Sequence, residues 1–322
     1  MFTINKCQQN ISIQDLGRPT AQHLGFSGTG AADEYSFLLA NQLLKNPSNT
    51  PALEIILGQV SLRFTKASTF VITGADCLAR LSNTRLENNK IYHASANSEL
   101  TLQMPKTMVY SYIAIEGGFE CQYWLNSASQ AKNEVSLGLV SPRIKQGTHF
   151  TRANINIESV DSVYQHQVES HFHQNDKLTL RFIPSNAWST LTLQQQQQIM
   201  ESSFTIAPAS DRMGYRLSGN PISSKLPQQL SAPVNYGTIQ LPDDGCPIIL
   251  MKDRQTIGGY PVLGNVARID LFRLAQKRPG ESVTFLPITT QQAQAQLFAF
   301  YSQFQTRAFE HLDSSQPAFQ NS

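Results

Sequence analysis

The chain has no pair of cysteines spaced for a metal knuckle or a disulfide framework. Its four cysteines, Cys7, Cys77, Cys121 and Cys246, are far apart and form no CxxC pair, so they are expected as reduced thiols of a cytoplasmic protein. No apolar run approaches the ~20 residues that cross a bilayer. Met1–Leu16 is polar and strand-like rather than basic and then apolar, so no signal peptide is expected. An excess of either charge is also missing. The 25 basic residues face 23 acidic ones, which gives no electrostatic footprint for nucleic acid or an anionic membrane. Familiar catalytic signatures are absent as well. There is no GxxxxGKS/T loop, Gly28-Thr29-Gly30 is not completed as GxGxxG, and no HExxH, GxSxG or kinase signature set occurs. Any handling of ATP therefore rests on an uncommon cradle or on another subunit.

What is present is strand. The 322 residues, 40% hydrophobic and 15% charged, suffice for two globular domains with cores of their own. Short runs rich in branched or aromatic residues predict strands at Val60–Phe64, Thr69–Thr73, Leu100–Met104, Met108–Ile115, Lys177–Ile183, Thr238–Leu241, Pro247–Met251 and Ser282–Leu286. In Lys177–Ile183, Leu178, Leu180 and Phe182 alternate with polar residues, which predicts one wet face. Helices are few: one capped by Asp33 and running to Lys45, one starting near Thr192, and a C-terminal one from Thr290 that packs across a barrel or sheet. A faint echo links Thr101–Pro105 and Gly117-Gly118-Phe119 to Thr238–Pro242 and Gly258-Gly259-Tyr260. Many strands, few helices and this echo predict a mainly β protein of two β-barrel-like domains, 1–170 and 171–322, with the boundary in the polar stretch Val163–Asp176.

Three segments carry chemistry. In Ser210–Leu217, Arg212 and Arg216 stand four apart with Tyr215 between them. Either an irregular turn aims both guanidiniums at one anion, or Asp211 and Arg212 form an ion pair that pins a loop. In Gly237–Pro261, an apolar strand delivers Asp253, Arg254, Gln255 and Thr256, followed by Gly258, Gly259 and Tyr260. Glycine pairs permit close backbone approach or positive φ. Asp253 then serves as a base and Arg254 stabilises developing negative charge, or the segment is a barrel corner that Asp253 caps. The third segment, Gln14–Asp33, places Asp15, Arg18 and Ser27 in a glycine-rich loop feeding the helix that Asp33 caps, and a helix N-terminus attracts anions. His171-Phe172-His173 lacks a third ligand at an evident spacing and reads as an inter-domain loop. No metal site is expected.

Together these segments resemble one family, the C subunits of ATP-dependent 5-oxoprolinase. These are related to biotin-dependent carboxyltransferases and the second subunit of allophanate hydrolase. The same family includes a part of urea carboxylase and an antagonist of a sporulation kinase inhibitor. The match lies in QDLGR (14–18), the SG and D of 27–33, ANQLLKNP and ALE (40–54), SDRMGYRLSG (210–219), GTIQLPDDG through GGYP (237–261), and VARIDLFRLAQKRPG (266–280). The resemblance implies two cyclophilin-like β-barrels. It also implies conversion of 5-oxo-L-proline to L-glutamate with ATP hydrolysis, beside companion subunits A and B, with ATP and its magnesium bound here or by a partner. It turns the three segments into candidate sites: Asp253, Arg254 and Arg212 as catalytic groups, and Asp15, Arg18, Ser27, Asp33, Tyr215, Arg216, Gln240, Gln255, Thr256, Gly258, Gly259 and Tyr260 as binding groups.

Two departures bear on substrate. Where relatives carry a GSRST-like turn, this chain has Asn126-Ser127-Ala128-Ser129-Gln130, without the arginine, and the glycine-rich segment that follows is altered at Leu137–Gly147. Met251-Lys252-Asp253 also lacks the Met-Lys-Met setting of a biotinyl lysine, so biotin, if used, visits from another protein. Alternatives within the family are a carboxyltransferase acting on a urea-like amide and a non-catalytic antagonist that binds a kinase-inhibitor-like partner.

Overall fold

The computed structural model describes residues 1–8, 10–153, 177–222 and 230–304. The expected domain boundary and His171-Phe172-His173 lie outside those residues. In the N-terminal half, one sheet runs in the order His149–Phe150, Phe2–Lys6, Val60–Phe64, Glu99–Leu102, Arg80–Leu81 and Thr84–Arg85. A second runs Ile11–Gln14, Ala52–Ile56, Tyr110–Ile115, Ser68–Gly74 and Ile91–Ala94. Phe2, Ile4, Phe64 and Leu100 from the first sheet and Ile13, Leu53, Phe70 and Ile113 from the second share one core. Burying that apolar surface from both sheets is the main force holding the half together.

The C-terminal half closes on itself. Its ring runs Leu178–Pro184, Val262–Val266, Thr238–Gln240, Ile248–Leu250, Gly214–Ser218, Phe204–Ile206 and Ser282–Pro287. The ring is completed by parallel pairing of Leu178–Pro184 with Ser282–Pro287. Leu178, Leu180 and Phe182 point inward while Thr179 is exposed, as the alternation predicts. The mainly β architecture with a closed barrel and peripheral helices is therefore as expected; the ring closes in the C-terminal half, and the N-terminal half is two sheets sharing a core.

Six α-helices lie among the described residues: α1 (Glu34–Leu43), α2 (Lys132–Ser136), α3 (Asn186–Thr190), α4 (Leu193–Glu201), α5 (Arg268–Ala275) and α6 (Thr290–Ser302). Asp33 caps α1, and full capping boxes at Thr192 and Thr289 start α4 and α6, which is why those three were legible in sequence. Helix α5 was not anticipated; it has no side-chain cap, and it buries Asp270. The larger core is continuous across the halves. Phe37, Leu38 and Leu39 of α1, Tyr112 of the second sheet, Phe182 and Ile249 of the barrel, Phe272 of α5 and Phe300 of α6 belong to it. None of the described helices is long and apolar enough to cross a membrane.

The barrel seam is tight at Gly264, where an added Cβ would lie 2.4 Å from the Ile183 carbonyl oxygen and 2.7 Å from the Phe182 ring. Gly264→Ala is expected to cost about 1–3 kcal/mol by overpacking, read as a lower midpoint in thermal or urea unfolding.

Candidate functional site at the junction of the two halves

The loop from Gly17 to Ala32 lies across the Met251–Arg254 segment of the barrel. Thr29 donates its backbone N–H to the Lys252 carbonyl at 3.1 Å and its hydroxyl to Asp253 Oδ1 at 2.8 Å. Arg212 fills the space between. It donates to both oxygens of Asp253, at 2.8 and 2.9 Å, to Glu54 at 2.5 Å and to the Gly30 carbonyl at 2.8 Å. Four of the five guanidinium N–H groups are thus engaged. Burial opposes the charge on Arg212, but Asp253 and then Glu54 outweigh it and hold the guanidinium above its ordinary value. Glu54 also accepts from the Ala32 amide and the Tyr112 hydroxyl. That hydroxyl accepts from the Asp33 amide, and Asp33 accepts from Gln276 of the C-terminal half at 2.8 Å.

A second charged group sits beside the first. Glu34, wholly buried at the start of α1, accepts from Lys252 at 2.5 Å, Arg268 at 2.7 Å and the Tyr301 hydroxyl at 2.5 Å. Burial works against its ionisation, yet Arg268 and Lys252 bring it down to about 2 from 4.5. Lys252 is pulled down to about 8, first by burial and with Glu34 opposing. Its ammonium lies 4.8 Å from the centre of the Tyr236 ring. Arg254 has a different setting. Its hydrogen-bond partners among the described residues are the Val234 carbonyl, at 3.4 Å, and Gln22 Oε1, at 3.0 Å, and burial depresses it below the ordinary arginine value.

The structure therefore brings Asp253, Arg254, Arg212, Asp33, Gln240 and Gly258 to one junction. Asp253 and Arg212 are committed to each other, which suits the holding of two loops better than proton transfer. Asp15 and Arg18 form a neighbouring cluster. Asp15 accepts from Ser127 Oγ, the Ala128 amide and Ser129 Oγ, all at 2.6–2.7 Å, so it pins the altered 126–130 turn, with Ala128 buried. Arg18 stacks 5.2 Å from the Trp124 ring centre, 3.6 Å from Glu134.

Arg216 is not brought in. Tyr215 and Arg216 lie on one strand and point to opposite faces. Tyr215 is buried and donates to the Ala275 carbonyl, while Arg216 is exposed and pairs with Asp244 at 3.5 Å. The joint aim of Arg212 and Arg216 at one anion is thus corrected: Arg212 precedes the strand and is turned inward by Glu54, Gly30 and Asp253, while Arg216 lies on the exposed face of the strand Gly214–Ser218. Nor does Asp211 pair with Arg212, since it accepts the Met213 and Gly214 amides instead. Gly258 and Gly259 are not in the positive-φ region; Gly258 gives close approach, because a Cβ there would lie 2.4 Å from Gln240 Nε2. Ser27 is half-buried, Gln255 and Tyr260 are exposed, and Thr256 uses its carbonyl to accept from Val234. Sequence reading missed Glu34, Tyr236, Lys252, Arg268 and Tyr301 as site members, and held Glu54 only inside a motif.

The carboxyltransferase domain family, subdomains A and B, matches residues 24–287, which includes Glu34, Glu54, Arg212, Lys252, Asp253, Arg254 and Arg268. The chain belongs to this family. It is 32% identical over 295 residues to the 5-oxoprolinase C subunit of Haemophilus influenzae, covering 91% of this chain and 93% of that protein. It is 31% identical to the 5-oxoprolinase C subunit of Escherichia coli, with the same coverage. Urea amidolyase of Saccharomyces cerevisiae is 25% identical over 87% of this chain, which spans 16% of that protein. Among solved structures, urea carboxylase of Kluyveromyces lactis superposes with a TM-score of 0.83 at 20% identity, over 94% of this chain and 29% of the other. Urea amidolyase of K. lactis does so at 0.82 and 19%, over 94% of this chain and 20% of the other. The structural likeness shows a common fold, and the family read from the sequence motifs is borne out.

Glu34 gives the junction a pH signature. Its folded-state value of about 2 lies below 4.5, so its ionised form contributes stability that is complete above about pH 4.5 and lost as pH falls toward 2. The shift is worth roughly 3 kcal/mol. Glu34→Gln is expected to cost about 3–5 kcal/mol at pH 7, because it strands two cations. The gap from wild type should narrow as pH falls from 4.5, checked by urea unfolding across that range.

Proposed function

We propose that this chain is the C subunit of an ATP-dependent hydrolase that opens 5-oxo-L-proline to L-glutamate, acting in the cytoplasm as part of a hetero-oligomer with A and B subunits. The observation that carries this reading is the match to two 5-oxoprolinase C subunits through more than nine-tenths of both chains. A lactam is a poor electrophile. Transfer of the γ-phosphoryl group of ATP to the lactam oxygen gives ADP and an activated imidate. Water then adds at that carbon and the ring C–N bond breaks, leaving an acyl phosphate. A second water hydrolyses it to glutamate and phosphate. Such chemistry uses preorganised cationic and N–H donors where negative charge develops. In this reading Arg254 is the donor that faces substrate. Arg212, Asp253 and Thr29 fix the loop that carries it, and Mg·ATP is handled by a partner subunit. Biotin does not fit as a group attached at Lys252, whose ammonium is buried against Glu34.

A second reading is a carboxyltransferase acting on a urea-like amide with carboxybiotin delivered by another protein. The K. lactis urea carboxylase and urea amidolyase folds, at TM-scores of 0.83 and 0.82, favour it. Co-expression with the companion subunits and assay of ATP-dependent glutamate release from 5-oxo-L-proline tests the first reading. Arg254→Ala should then lower kcat/KM by about 10²-fold or more, the size of losing one buried charge-assisted contact to substrate, while the complex still assembles. A wild-type complex that releases no glutamate but carboxylates urea from carboxybiotin would support the second reading instead. Tight partner binding with neither activity would leave the role of an antagonist.

A further inference from the structure

Arg254 is 8% exposed, and among the described residues no carboxylate lies within ion-pair distance of it. A buried guanidinium ordinarily has one. Two more polar atoms nearby are unmet: the Tyr236 hydroxyl and Gln240 Nε2 are buried without a hydrogen-bond partner. Tyr236 is the ionisable side chain that acts most strongly on Arg254, and Gln240 is tied to the same segment through Gly258 and Val234. A Cβ on Gly258 would touch both Gln240 Nε2, at 2.4 Å, and the Val234 side chain, at 3.3 Å. Val234 is the residue whose carbonyl Arg254 contacts, and Tyr236 follows two positions on. All three groups are donors. Beside Tyr236, Lys252 and Arg268 share the one carboxylate Glu34, so that carboxylate is not lent to Arg254.

We propose that Arg254, Gln240 and Tyr236 form a carboxylate subsite for a small planar amide bearing an acid group, either a lactam acid or a carboxylated urea. The proposal rests on the amide-substrate reading above. A guanidinium fork matches the two oxygens of a carboxylate, and the amide and phenol donate to its remaining lone pairs. A phosphate dianion would need a second free cation, and Lys252 and Arg268 are already drawn to Glu34. Gln22 Oε1, reaching over from the N-terminal half, holds one Arg254 N–H and is the oxygen that an incoming carboxylate replaces. Gly258 lets its backbone pack close against the Gln240 amide, which a Cβ there would displace.

Calorimetric titration of the chain assembled with its companion subunits tests this, with 5-oxo-L-proline, 2-pyrrolidinone (the same ring without the acid), allophanate and inorganic phosphate as probes. At least one acid should bind, with 2-pyrrolidinone weaker by about tenfold or more, on the order expected for a charge-assisted contact. Arg254→Gln should weaken the acid by about 10²-fold and leave 2-pyrrolidinone unchanged; Gln240→Leu should weaken the acid by about tenfold. Gln240→Leu decides alone if Arg254→Gln fails to assemble. Equal affinity for the acid and 2-pyrrolidinone, equal loss of both in the variant, or phosphate binding as tightly as the acid would overturn the subsite. Preference for allophanate, or 5-oxo-L-proline binding without glutamate release, keeps the subsite and removes the lactam-opening reading.

Discussion

The ion pair of Arg212 with Glu54 on one side and Asp253 on the other is the contact on which the junction depends. Glu54 belongs to a strand of the N-terminal half and Asp253 to a loop of the barrel, so a single guanidinium spans both. Each carboxylate taken from water costs several kcal/mol unless it is paired and hydrogen-bonded. Glu54 meets that cost with three donors, and each of them constrains a neighbour: Arg212, the Ala32 amide and the Tyr112 hydroxyl. The result fixes the angle between the halves more than it adds net stability, since an apolar replacement of equal shape would pack comparably.

Glu34 acts in the same way at the entry to α1, with a different set of elements. Lys252 comes from the barrel loop, Arg268 from the start of α5 and Tyr301 from α6. Two carboxylates, Glu34 and Glu54, thereby position the 251–254 segment from both sides. Arg254 follows directly in that segment and has no such carboxylate among the described residues. The contrast between three paired cations and one without a carboxylate is what separates scaffold from binding surface here.

Much of the fold was legible in the sequence. Val60–Phe64 has the predicted bounds, the other predicted strands are displaced by one or two residues, and the capping residues Asp33, Thr192 and Thr289 start helices. These features are local: alternation and caps depend on residues a few positions apart. The polar junction was not legible, because Glu34 and Glu54 look like surface residues until partners more than 150 positions away are placed beside them. Arg212 and Arg216 were paired by proximity in sequence, but Arg212 sits before the strand and is turned into the junction by carboxylates distant in sequence, while Arg216 is on the strand's exposed face. Arg254 was singled out in the sequence as a candidate catalytic cation, and its distance from the carboxylates of the described residues became visible only with the surrounding chain in place.

Tyr301 and Glu34 are 267 positions apart, and Arg212 and Glu54 are 158 apart. Contacts of such separation form late, after loop closure has been met by other gains. As the chain is synthesised, the N-terminal half emerges with two acidic side chains placed for burial while their cationic partners are still untranslated. Those carboxylates stay hydrated until the barrel arrives, while α1 already has its seat on the strands Ser68–Gly74 and Tyr110–Ile115 of its own half. The charged part of the junction is complete only once both halves are present, and α6 finishes a surface that α1 begins.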